Sequence, residues 1–147
     1  MKILRARSAD LDGIAPLFDA YRQFYGQESD IPAARNFLET RLSRRETVVF
    51  FAKIGEKAVG FTQLFPIFSS VSMERSWLLN DLFVLENFRK NGVGEALLLQ
   101  AQQFVSAKKH KGLLLETAAD NASAQRLYER LGWHKESDDY WFYFWKS

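Results

Sequence analysis

Hydrophobic and polar positions change period along this chain, and the changes lay out its elements. Residues 2–7 alternate and read as a short strand. Ser8 suits an N-cap, with Asp10 and Asp12 in the first turn behind it. Apolar residues at 11, 14, 17, 18, 21, 24 and 25 then mark an amphipathic helix that closes near Gly26. Pro16 falls inside this pattern, so a kink or a break is expected there. Asp30 and Pro32 open a second helix carrying Phe37, Leu38 and Leu42 on its inner face. Residues 47–54 and 58–68 read as a hairpin around Gly55-Glu56-Lys57, residues 69–76 as a loop, and residues 77–85 as a central strand, apolar on both faces. From Val93 the period returns to that of a helix, with apolar positions at 93, 96, 97, 101, 104 and 105. That helix is expected to run to Lys109 and end at the basic residues before Gly112. Leu113 to Ala118 reads as a short buried strand, and Asp120 or Asn121 caps a helix that ends near Gly132. Residues 133–136 and 140–146 read as a last hairpin across Ser137-Asp138-Asp139.

The expected order is β-α-α-β-β-β-α-β-α-β-β. This is an α/β (α+β) mixed sheet of about seven mostly antiparallel strands with helices on both faces. At 147 residues the chain is expected to form one domain, 1–147.

Composition narrows the chemistry. The absence of cysteine excludes disulfides, thiolate metal sites and cysteine nucleophiles. His110 and His134 are far apart in polar surroundings, so no metal is expected. A net charge of +2 gives no footprint for nucleic acid. No apolar run reaches membrane length and the N-terminus lacks a signal-peptide pattern, so the expectation is a cytoplasmic protein without a membrane partner.

The junction of strand and helix between Asn80 and Glu95 carries the first candidate site. An apolar run, Leu82-Phe83-Val84, is followed by a polar turn and then by Gly92 and Gly94 at the start of a helix. A helix start leaves backbone N–H groups without partners and carries partial positive charge. Glycine allows a ligand to approach the main chain, and Arg89 and Lys90 add cations. An anion, most plausibly a phosphate or pyrophosphate, is the ligand this arrangement suits. No Gly-Lys-Ser/Thr follows, so it is not a P-loop. Leu97 stands where the dinucleotide fingerprint needs a third glycine. Arg89 could instead pair with Glu86 on the surface.

The second informative stretch is Asn121-x-x-Ala124-x-x-Leu127-Tyr128-x-x-x-Gly132-Trp133, in which Ala124, Leu127, Tyr128 and Leu131 share one helix face. Together with Arg89-x-x-Gly92-x-Gly94 behind Leu82-Phe83-Val84, it strongly resembles the GNAT family of acetyl-CoA-dependent N-acetyltransferases. The motifs span residues 77–133. Asn80-Asp81-Leu82-Phe83-Val84 is similar to the small diamine and thialysine acetyltransferase branch, with Asn80 standing where that branch carries an acid.

The resemblance implies roles for particular residues. Leu82, Phe83 and Val84 would offer their backbone edge to the pantetheine arm of acetyl-CoA, and one N–H would polarise the thioester carbonyl. Arg89, Lys90, Asn91, Gly92, Val93, Gly94 and Glu95 would cradle the pyrophosphate. Asn121, Ser123 and Ala124 would line the pantetheine channel, and Tyr128 would be the general acid at the sulfur. Asp81 and Glu116 are the candidate bases acting through water, with a structural hydrogen bond as the other reading of Asp81. Tyr21, Phe24 and Tyr25 have the period of a core face and fall where this family builds its acceptor pocket. The implied partner is a small-molecule primary amine, polyamine-like or amino-acid-like. The rival readings are a protein lysine or N-terminal acetyltransferase and a non-catalytic CoA-binding module. Homodimerisation through the C-terminal strands is common in the family, and the apolar run Tyr140 to Trp145 predicts a dimer.

Overall fold

The computed structural model describes residues 1–136, 138 and 143–147, and the chain divides into two compact units, Met1–Glu116 and Thr117–Ser147. The first unit contains β1 (Lys2–Arg5), α1 (Leu11–Phe24), α2 (Ile31–Ser43), β2 (Val48–Ile54), β3 (Lys57–Ser69), β4 (Glu74–Val84), α3 (Val93–Ala107) and β5 (Leu113–Leu114). Short 3-10 turns at Ser8–Asp10 and Glu86–Phe88 precede α1 and α3. The sheet order is β1-β2-β3-β4-β5; the first four strands are antiparallel and β5 runs parallel to β4.

Strand alternation sends successive β2 side chains to opposite faces. Val49 and Phe51 join a core with Leu11, Ile14, Leu17 and Phe18 of α1, Ala34 and Leu38 of α2, and Phe61 and Phe83. Phe50 faces the other way, its ring 5.7 Å from that of Phe104 in α3. Each fully buried Leu or Phe here contributes about 1.5–3 kcal/mol, so the helices are held to the sheet by their apolar stripes. Asp30 caps α2 by accepting from Ala33 N at 3.0 Å, with Pro32 in the first turn. Buried Asp19 secures the α1–α2 connection, accepting from Ser29 Oγ at 2.7 Å, Asp30 N at 2.8 Å and Gln23 Nε2 at 3.0 Å. Helix α1 runs through Pro16 without a break.

In the second unit α4 (Ala122–Arg130) is capped by Asn121, whose Oδ1 accepts from Ala124 N at 3.2 Å. The helix ends at Gly132, φ +88°, with Trp133 N bonded to Tyr128 O.

Several expectations are corrected. The sheet has five strands among the described residues rather than seven, so the expected order does not hold at its end. Residues 133–136 and 143–147 carry no strand, and Tyr143, Phe144 and Trp145 are exposed. Ser137 and the segment 139–142, where the last hairpin was expected to turn and return, lie outside the described residues. Alternation makes a strand only where a neighbour supplies a ladder, and the pattern alone does not supply the neighbour. For the same reason β5 is two residues long, not the six expected, with Leu114 half-exposed. Conversely, the expected loop 69–76 is half strand: β3 and β4 pair out to Ser69 and Glu74 around a tight turn with Met73 at φ +54°. No helix among the described residues is long and apolar enough to cross a membrane.

Candidate active site

The register of β3 against β4 places the site. Gln63 pairs with Asp81 and Leu64 pairs with Leu79, which leaves Asn80 as an extra residue on β4. This is a β-bulge, and it reverses which face each later side chain takes. Upstream of it Trp77 packs on Phe104 of α3, ring centroids 5.2 Å apart. Downstream, Phe83 packs on Tyr21 and Phe61, on the α1 face. Unbroken alternation would place Asp81 on the same face as Trp77. The bulge turns it toward α1 instead.

There Asp81 is buried and accepts three side-chain hydrogen bonds. Tyr21 Oη donates to Oδ1 at 2.7 Å, Asn80 Nδ2 to Oδ1 at 3.0 Å, and Gln63 Nε2 to Oδ2 at 2.8 Å. Thr47 donates to Gln63 Oε1 at 3.0 Å, which sets the amide with its NH₂ toward Asp81. Burial first, and then the hydrogen bond to Asp81, push the Tyr21 hydroxyl well above the usual phenol range, so it stays a donor.

These groups line a cavity of ≈ 400 Å³ whose walls include Phe18, Phe37 and Phe65, with Arg22, Ala33 and Ala34. A carboxylate set among aromatic faces suits an organic ammonium: charge attraction and cation–π contact act together. Tyr21 thus serves core and site at once, while Phe24 and Tyr25 do not line the cavity and are exposed. Periodicity could place Tyr21 on the inner face but could not say that its hydroxyl reaches a partner sixty residues away. The polar pair Asn80-Asp81 inside an apolar strand was the available signal for the bulge. Gln63 and Thr47 had none.

The candidate cofactor residues of the first unit cluster at the C-terminal end of β4 and the start of α3. β5 pairs only with Trp77 and Leu78, so the edge of β4 from Leu79 through Leu82, Phe83 and Val84 has no strand partner on that side among the described residues. Gly92 is the N-cap of α3 at φ +76° and has no side chain to cap with, leaving the amides of Val93, Gly94 and Glu95 facing outward from the first turn. A Cβ on Gly92 would meet nothing within 4 Å, and one on Gly94 would meet only Val84 Cγ2 at 4.0 Å. Packing within the protein therefore does not require glycine at 94, whereas a group lying on the backbone would. Lys90, at φ +61°, and Asn91, whose Nδ2 donates to Arg89 O at 3.2 Å, shape the loop before it. Arg89 does not pair with Glu86. It donates Nε to Val84 O at 2.8 Å, and its guanidinium lies over the rings of Phe24 and Phe83 at 5.5 and 5.7 Å.

A close approach positions this helix. A Cβ on Gly60 would meet Phe83 O at 3.0 Å, Val93 Cγ1 at 3.1 Å and Val84 Cγ2 at 3.2 Å. Gly60 is what lets the first turn of α3 settle on the end of β4.

Glu116 is exposed beyond β5 and does not line the cavity. In the second unit Asn121 is occupied as the α4 cap through its Oδ1, and Ser123 is exposed. The Tyr128 ring lies 6.0 Å from that of Trp133.

Comparison with known proteins decides the family, because the acetyltransferase (GNAT) family model matches residues 14–133. The chain belongs to the GNAT family. Its relatives include an uncharacterized N-acetyltransferase, YhfO, of Bacillus subtilis, 43% identical over 93% of this chain and 92% of that one. A probable acetyltransferase of Haemophilus influenzae is 37% identical over 84% of this chain and 85% of its own length. The crystal structure of a probable acetyltransferase superposes with a TM-score of 0.92 at 38% identity, covering 100% of this chain and 99% of that one. This GNAT protein is an acetyltransferase, an enzyme of the N-acetyltransferase type.

Proposed function

We propose that this GNAT enzyme transfers acetyl from acetyl-CoA to a primary aliphatic amine of a small molecule, by direct attack in a ternary complex. The observation that carries the reading is buried Asp81, hydrogen-bonded three ways and set in an aromatic cavity beside the free edge of β4. The open, uncapped start of α3 at Gly92 and Gly94 supports the first turn as the holder of the cofactor's diphosphate. When bound, the thioester supplies an activated acyl carbon and a thiolate leaving group.

The protein's residues handle the rest. Asp81 attracts the substrate ammonium and accepts its proton through water, freeing the nitrogen lone pair. As the C–N bond forms, the second proton leaves the nitrogen for solvent water, and the C–S bond then breaks. An outward N–H of Leu82, Phe83 or Val84 stabilises charge on the acyl oxygen. The departing sulfur takes a proton from Tyr128. Asn121, Ser123, Ala124 and Tyr128 enter this reading on the sequence motif alone. Asp81 is preferred to Glu116 as the base because it lines the cavity. The Asn80-Asp81 pair keeps a polyamine-like acceptor within the reading, alongside amino-acid-like amines.

The test is thiol release from acetyl-CoA over a panel of polyamines, lysine analogues, amino acids and aminoglycosides. Turnover with a small amine is expected. Tight CoA binding with no release from any amine refutes the enzymatic reading, and release only with peptide amines refutes the small-molecule one. Tyr128→Phe is expected to lower kcat at least tenfold with acetyl-CoA affinity within threefold, the signature of a lost general acid; unchanged kcat removes Tyr128 from that role. The proposal includes one catalytic domain along residues 1–147, a cytoplasmic location and a homodimer. Exposed Tyr143, Phe144 and Trp145 support self-association, and a purely monomeric sedimentation profile at micromolar concentration refutes it.

A further inference from the structure

A second cavity, of ≈ 520 Å³, opens beside the start of β4, where β1, the ends of α2 and α3 and the start of β2 meet. Its lining carries Arg5, Arg7, Arg45, Arg75, Lys108 and His110, and no carboxylate. The chain as a whole is nearly balanced, with 20 Lys and Arg against 18 Asp and Glu, so this is a local segregation of charge. Of the carboxylates nearest in sequence, Asp10 accepts from Arg7 N and Glu46 pairs with Arg41, while Glu74, next to Arg75, does not line the cavity. Arg5, Arg7, Arg45, Arg75 and Lys108 make no ion pair among the described residues.

Aromatic rings hold several of these cations in place. The Arg5 guanidinium and the Lys108 ammonium both lie over Phe104, at 5.3 and 5.5 Å, and Arg75 lies between Phe68 at 4.9 Å and Trp77 at 6.0 Å. Such contacts fix a guanidinium without neutralising it. His110 accepts from Trp77 Nε1 at Nδ1, 2.9 Å, so the neutral ring carries its proton on Nε2, a further donor.

Helix ends attract cations in general, and that accounts for Lys108. It does not account for Arg5, Arg7 and Arg75, which lie on or beside strands. Helices α1 and α4 end on Gly26 and Gly132 at φ +85° and +88°, the usual residue for that position. Helices α2 and α3 end instead on Arg45 at φ +56° and Lys109 at φ +55°. Of these two, Arg45 lines the cavity, in a backbone conformation that glycine adopts at less cost.

We propose that this cavity is a second ligand site of the enzyme, taking a small polyanion that bears two or more phosphate groups. Arginine forks match phosphate oxygens, and a half-open cavity of this size suits a small molecule better than a duplex or a membrane. The site is separate from the start of α3: Phe104 and Gly94 are ten residues apart on that helix, roughly 15 Å at 1.5 Å per residue.

Inorganic tripolyphosphate is the probe, titrated calorimetrically into the full chain at low and moderate salt. One site per chain is expected, weakening with salt. Arg75→Gln and Arg5→Gln are expected to weaken it at least about fivefold each, Arg75→Lys much less, and Arg35→Gln not at all. Gly94→Val is expected to leave it in place. Arg45→Gly separates binding from folding, because glycine relieves the strained φ. Its melting temperature is expected to rise while tripolyphosphate binding weakens. Absence of binding, loss with Gly94→Val but not with the arginine variants, or binding of a single-stranded oligonucleotide without tripolyphosphate each overturns the proposal.

Discussion

Replacing Asp81 by Asn tests the acceptor site most directly. The carboxylate now receives Tyr21 Oη, Asn80 Nδ2 and Gln63 Nε2 at 2.7, 3.0 and 2.8 Å. An asparagine of the same shape offers one acceptor oxygen, and its NH₂ must face at least one of these donors. Hydrogen bonds to a charged group are worth about 1.5–3 kcal/mol each, and a buried donor left unpaired costs a similar amount. One such loss is about 2 kcal/mol, some of which the cavity recovers by admitting water. The attraction for an ammonium is lost as well. Taken together, about 3 kcal/mol on the acceptor side corresponds to a fall in kcat/KM for the amine of roughly 100-fold or more. KM for acetyl-CoA should stay within threefold, and the melting temperature should fall by several degrees. The assay is chromogenic detection of released thiol, with amine and acetyl-CoA varied in turn, well below the melting temperature. An amine kcat/KM within threefold of the parent, or a defect confined to acetyl-CoA, refutes the assignment of this cavity to the acceptor.

Four further outcomes are expected. Gly94→Val fills the open face of the first turn of α3 without backbone strain, so CoA affinity measured by calorimetry should drop at least tenfold with little change in melting temperature. Gly92→Val should lower both, because valine tolerates φ +76° poorly. Gly60→Ala forces a Cβ against backbone and two valines, which should destabilise the fold by about 1–3 kcal/mol in denaturant titration and raise KM for acetyl-CoA by shifting α3. The Ser29 hydroxyl, with Asp30 N–H and Arg22 behind it, holds the Asp19 carboxyl below its ordinary 3.8. A depressed folded value contributes stability above pH ~4 that is lost as pH falls through the folded value. Thermal melts from pH 2.5 to 7 should therefore show a steeper acid loss for the parent than for Asp19→Asn, and parallel curves refute the clasp.

The helices were legible because each keeps one period over many residues and carries its own caps, as Asp30 and Asn121 do, and the middles of the longer strands because they are apolar runs between turn residues. The start of α3 was legible as a helix start without a side-chain cap because glycine at 92 has no side chain to cap with. What escaped depended on partners distant in sequence. Leu113-Leu114-Leu115 has the composition of a buried strand, but a ladder with β4 forms over only two residues. Tyr21 shares its helical period with plain core residues, and its hydroxyl bond to Asp81 spans a separation that no local pattern encodes. The orientation of Asp81 was hidden for a different reason. Counting by twos along β4 fails at Asn80, and only the pairing with β3 reveals the miscount.

That miscount makes β4 two half-strands sharing one backbone, each keeping its own parity. The upstream half answers to α3 and the downstream half to α1. Deleting Asn80 alone would close the bulge and leave Asp81 and Phe83 on the α1 face. A one-residue deletion between Asp81 and Phe83 would instead exchange inside for outside, lifting Phe83 out of the core. Insertions at the Gly55-Glu56 or Ser70–Met73 turns leave that parity untouched. The length of this chain is therefore elastic at its hairpin tips and at the bulge, and integer-locked along the paired residues on either side of it.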